Sequence, residues 1–122
     1  MVDWVARLCS VASMRATADL SISELFQVAA PELGDRAVFL SSTTRWLRDH
    51  PALVEDWQAY SDDRRASPAP YLHLEDPPTP HAVGFYKTDG AVDVAHYRDA
   101  AHACADYLYR EACWILRREQ VR

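Results

Sequence analysis

The 122-residue sequence has no Asn, a single Lys, three Gly, three Cys and no run approaching 18 apolar residues. Each shortage excludes something. Gly34, Gly84 and Gly90 are too few and too far apart for a phosphate-cradling loop, so a nucleotide-binding loop is not expected. Without a long apolar run no helix is predicted to cross a membrane. Asp3 stands where an export signal would place positive charge ahead of an apolar core, which predicts a cytoplasmic protein. Cys9, Cys104 and Cys113 form no CxxC pair, and an odd count without an export signal points to reduced thiols. Basic residues number 13 against 18 acidic, for a net charge of −5. Each contact to a nucleic-acid phosphate needs a local Lys or Arg, so nucleic acid is not an expected partner.

What remains is 49% apolar and 25% charged, the balance of one globular domain. A chain of this length buries enough surface to fold without disulfides or structural metals. The pattern divides it into a helical part over about 3–65, a Pro/Ser/Ala linker over 66–70, and a hairpin with a C-terminal helix over 71–119. Within the first part Asp3 can cap a helix running to about residue 16, with Trp4, Val5, Leu8, Val11 and Ala12 on its apolar face. Ser21 and Glu24 form a capping box, with Leu20 and Leu25 as its hydrophobic staple, and the helix it opens should end before Pro31. Ala37 to Leu40 carries no period, leaving strand and helix both open, and the favoured reading is a helix over about 36–48. Pro51 suits a first helical position, and Leu53, Trp57 and Tyr60 follow on one face.

After the linker the period changes from helical to alternating. Tyr71 to Glu75 should be a strand with Leu72 and Leu74 facing a core and Tyr71, His73 and Glu75 facing away. Val83–Lys87 and Val92–Tyr97 flank Asp89-Gly90, a strong hairpin signal. From Asp99 to about Glu119 there is no Gly or Pro, and Ala101, Cys104, Ala105, Leu108, Ala112 and Ile115 share a stripe. This predicts a long helix laid across the hairpin. The expected fold class is therefore α+β, with N-terminal helices, an antiparallel sheet of about three strands, and a long C-terminal helix on it.

The residue types that carry chemistry do not fall into catalytic patterns. Five His, at 50, 73, 81, 96 and 102, match no metal-ligand spacing, so neither a metal nor a cofactor is expected. His102 and Asp106 stand at i, i+4 and suggest a solvated surface pair. Cys113 is about 16 Å further along the helix from His102, beyond the reach of a nucleophile and its base. Four carboxylates are more informative: Glu55, Asp56, Asp62 and Asp63 repeat at seven-residue spacing and project from nearly one side of a helix. Such a stripe is either a solvated surface that confers solubility or a contact face for a basic partner. Among the aromatics, Tyr60, Tyr71 or Tyr86 could anchor a partner if exposed, since Tyr is enriched at interface hot spots.

Val83-Gly84-Phe85-Tyr86-Lys87-Thr88-Asp89-Gly90, then Tyr97-Arg98-Asp99, then Ala100 to Tyr109, resemble the C-terminal part of bacterial polymorphic-toxin immunity proteins. In those proteins an aromatic hairpin with a Gly-containing turn feeds an alanine-rich helix. The resemblance covers about residues 71–116, and Lys87-Thr88-Asp89-Gly90 departs from the acidic-Arg-Gly turn of such proteins. It implies a non-catalytic cytoplasmic antitoxin that binds a cognate toxin domain and occludes its active site. The toxin-facing residues would be Glu55, Asp56, Tyr60, Asp62 and Asp63. The alternative is a small ligand-binding or enzymatic accessory domain using His73, His81 or the His102/Asp106 pair in a cleft. Neither reading specifies an oligomeric state.

Overall fold

The computed structural model describes residues 3–14, 35–63, 69–87 and 90–120. The capping box at Ser21 and Glu24, the helix expected after it and the turn residues Thr88-Asp89 lie outside these. The N-terminal helix runs in two pieces, α1 (Asp3–Cys9) and α2 (Val11–Met14), rather than continuously. Ser10 divides them: its hydroxyl donates to the Ala6 carbonyl at 2.9 Å and its amide to the Arg7 carbonyl at 3.3 Å. A serine that bonds back to the preceding turn competes with the regular ladder and bends the chain. Of the expected apolar face, Val5, Leu8, Val11 and Ala12 are buried on both sides of the break, and the Trp4 side chain lies outside the described residues.

The ambiguous run Ala37 to Leu40 is helical, inside α3 (Arg36–Asp49). The deciding residue is Asp35, whose carboxylate accepts from the Ala37 amide at 2.7 Å while its carbonyl accepts from Phe39 at 2.9 Å. That N-cap satisfies amides a strand would have left to a neighbour. Phe39, Thr43 and Leu47 recur every four residues on the buried side. His50 ends the helix, its amide donating to Leu47 and its Nδ1 lying 2.8 Å from the Trp46 carbonyl. Pro51 opens α4 (Pro51–Asp63) as expected, burying Val54, Trp57 and Tyr60.

Strands β1 (Ala69–His73), β2 (His81–Lys87) and β3 (Gly90–Tyr97) form one antiparallel sheet in the order β1-β2-β3. The first strand begins and ends two residues earlier than its alternation suggests, so the linker stops short of Ala69. Beyond His73 the backbone turns to side chains for its bonds, Leu74 donating to Gln58 Oε1 and Glu75 to His81 Nδ1. Helix α4 seals the outer edge of β1: Leu72 donates to Ser61 Oγ at 2.9 Å, and Gln58 Nε2 donates to the Leu72 carbonyl at 3.1 Å. Backbone groups that alternate with period two put Pro70, two residues away, on that same outward side. Its missing N–H therefore costs the sheet no ladder bond.

Strand β3 carries a bulge. Val83 pairs with Ala95 but Phe85 pairs with Val92, so Asp93 and Val94 together oppose Gly84, and Asp93 takes φ 53°. Asp is one of the few residues that tolerate this left-handed conformation.

Helix α5 (Ala100–Gln120) lies between the sheet and α3. Asp99 caps it, accepting from Ala101 at 3.0 Å, and Arg48 at the end of α3 donates to the same carboxylate at 2.7 Å. With neighbours on two sides α5 buries far more than one stripe, Asp106 and Glu111 included. The fold is α+β, with the long C-terminal helix packed on a three-stranded antiparallel sheet.

Candidate functional site

The acidic stripe expected on α4 is present in part. Glu55 and Asp62 are exposed on the same side as Ala52 and Ala59, whereas Asp56 is half-buried. Asp62 accepts from Gln58 Nε2 at 2.7 Å, which fixes its carboxylate beside the edge of β1. Asp63 ends the helix, and its side chain lies outside the described residues, as do Arg64 and Arg65. Tyr60 does not belong to this surface. It is 6% exposed and meets the Trp57 ring edge-on at 5.5 Å, so it is part of the core. Position i+7 from Leu53 marks it for burial, and that signal outweighs its place four residues after Asp56 and two before Asp62.

Among the described residues the exposed aromatic is Tyr86, 48% accessible, on the sheet face turned away from α5. Its ring stacks on Tyr71 at 4.3 Å. Tyr71 is on the face expected from alternation, yet it is buried, lying over Gly84 where a Cβ would come within 2.7 Å of the ring. A shallow groove of about 220 Å³ joins Asp62 and Ser61 of α4 to His73, Tyr71 and Tyr86 of the sheet. One continuous surface thus carries fixed negative charge at one end and a tyrosine stack at the other.

The histidines and thiols do not converge. His73 Nε2 is 3.3 Å from Glu75 Oε1, His81 accepts from the Glu75 amide, His50 stacks on Trp46, and His102 lies against the Tyr97 ring. Among the described residues no three His, Cys, Asp or Glu side chains gather as metal ligands would. Burial pushes the Cys9 thiol up to about 12 and raises that of Cys104 as well, with Cys9 nearby adding to the latter. Thiols held protonated in this way are poor nucleophiles.

Asp106 departs most from expectation. It is not a solvated partner of His102 but fully buried, with Tyr97 donating to Oδ2 at 2.6 Å and Arg110 Nε to Oδ1 at 3.0 Å. Arg36, at the start of α3, stands 3.5 Å from the same Oδ1. One carboxylate therefore ties β3, α3 and α5 together. Burial pushes Tyr97 up to about 12, assisted by its hydrogen bond to Asp106. A cavity of about 420 Å³ opens over this cluster between Phe85, Tyr109 and Trp114. The i+4 spacing of Arg110 from Asp106 is a sequence signal for the pair; the contributions of Tyr97 and Arg36 need the fold.

No described helix is long and apolar enough to cross a membrane. Comparison of the chain with protein-family models, with curated proteins and with solved structures gave no match.

Proposed function

We propose that this chain is a non-catalytic antitoxin of the immunity type, acting in the cytoplasm, that binds a cognate toxin domain and covers its active site. The observation that supports the reading is the groove that joins Asp62 to Tyr71 and Tyr86, with Glu55 exposed two turns away on the same side of α4. Enzymes that act on nucleic acid or nucleotides present basic clefts, and a fixed acidic face accelerates encounter with such a cleft. An adjacent rigid aromatic supplies the contact area that holds the complex once formed. The interface residues are Glu55, Asp62, Tyr86 and the half-buried Asp56, with Tyr60 acting only as core beneath them. Of the groups a catalytic reading would draw on, Asp106 is held by three partners and the Cys9 and Cys104 thiols are buried.

The test is co-expression with the variable C-terminal domain of a large secreted protein, should a neighbouring gene encode one. Growth should be restored by the wild type and lost again with Glu55→Lys/Asp62→Lys. Continued killing in the presence of folded wild-type protein would rule the proposal out.

A further inference from the structure

The cavity over Asp106 lies away from the acidic face of α4 and poses a separate question. A fully buried carboxylate costs several kcal/mol to desolvate unless it is well paired, so such groups are kept where they stabilise or position something. Here Asp106 positions two guanidiniums. Arg110 commits Nε to Asp106 and Nη1 to the Asp93 carbonyl at 2.7 Å, and no partner of its Nη2 occurs among the described residues. Arg36 is half-exposed, touches Asp106 only at 3.5 Å, and lies over the Tyr109 ring at 5.5 Å from its centroid. Asp106 itself has both oxygens engaged, so the charge left for a ligand at this wall is positive. Phe85 and Trp114, which meet edge to face at 5.0 Å, Tyr109 beside Arg36, and Cys113 line the rest of the cavity inside its rim.

We propose that this cavity binds a small organic carboxylate with a flat aromatic body. Arg36 and Arg110 hold the carboxylate, the geometry for which a fixed planar guanidinium is suited. Phe85, Tyr109 and Trp114 enclose the ring, and a volume of about 420 Å³ accommodates two fused rings with room for substituents. Asp93, at the bulge on the rim, opposes a bare anion. Its removal should strengthen binding, and Asn tolerates the left-handed backbone there equally well.

The experiment is a titration of the full chain with 1-naphthoate, its neutral counterpart 1-naphthalenemethanol and the cationic 1-naphthylmethylamine. It is followed through the Trp114 indole N–H and the Arg110 Nε–H by ¹H–¹⁵N spectroscopy. Naphthoate should saturate at roughly millimolar concentration or below and shift both signals. It should bind about tenfold more tightly than the alcohol, lose about tenfold in Arg36→Gln, and gain a few-fold in Asp93→Asn. Arg36→Gln sits at an exposed first helical position and should preserve the fold. Equal binding of acid and alcohol, preference for the amine, unchanged affinity in Arg36→Gln, or shifts that miss both reporters would each overturn the assignment. None of these outcomes bears on toxin neutralisation, which rests on the opposite surface charge and on a different helix.

Discussion

The Tyr97 hydroxyl donates to Asp106 Oδ2 at 2.6 Å, joining the last residue of the sheet to a carboxylate with no exposed surface. Removing the hydroxyl leaves that oxygen without its partner, and an orphaned buried acceptor costs more than the bond itself contributes. Tyr97→Phe should lower unfolding stability by about 1–3 kcal/mol in urea denaturation. A pH arm checks the cause. Because Tyr97 ionises near 12 when folded and near its ordinary value of 10 when unfolded, its contribution is full below pH 10 and is lost as pH rises towards 12. The decline of stability above pH 10 should be shallower in Tyr97→Phe.

Asp99 behaves oppositely. Burial works against its ionisation, but hydrogen bonds from Arg48 and from the Ala101 amide outweigh burial and hold its carboxyl below the usual range. Its contribution is therefore present above the ordinary carboxylate pKa and fades as pH falls through the lowered folded value. Asp99→Ala also removes the N-cap of α5, so it should cost about 0.5–2 kcal/mol near neutrality and flatten the acid limb of the stability profile.

Much of the helical layout is legible because its signals are local. Pro51 announces α4, the lack of Gly and Pro over the last segment announces α5, and Asp89-Gly90 announces the hairpin. What escaped the sequence is what depends on neighbours. The Asp35 cap settles Ala37 to Leu40 as helix, and it does so only once Phe39 has a core to enter. The ends of β1 shift because Gln58 and Ser61, on another element, supply its edge bonds. Asp106 reads as surface from its i+4 neighbours alone, and becomes core because α3 covers the side of α5 that a two-layer hairpin and helix would leave open. Of the expected site, Glu55 and Asp62 are exposed and Tyr60 is not, since helical period alone does not reveal how far round α4 the core extends.

Gly84 illustrates a cross-strand constraint. An added Cβ would come within 2.7 Å of the Tyr71 ring, which is itself held by the stack with Tyr86. Gly84→Ala should destabilise by about 1–3 kcal/mol through overpacking. The penalty should shrink when Tyr71→Ala is also present, a non-additivity measurable in a double-mutant cycle.

The edge of β1 offers a further check. Gln58→Ala removes one of the two side-chain donors to the Leu72 carbonyl, Ser61 Oγ at 3.2 Å being the other, and takes from the Leu74 amide, just past the strand, its acceptor, which weakens the cover on this edge. We expect a loss of about 1–2 kcal/mol and a rise in concentration-dependent association by light scattering. Glu55→Ala, on the exposed face of the same helix, should change neither by more than about 0.5 kcal/mol.

The proposed role is tested most directly by the dissociation constant of the purified chain with a candidate cognate toxin domain, measured with wild type and Glu55→Lys/Asp62→Lys at low and high salt. The account predicts a complex tighter than about 1 μM, weakened by the double reversal and more strongly so at low salt. Absence of a complex with the wild-type chain would contradict it.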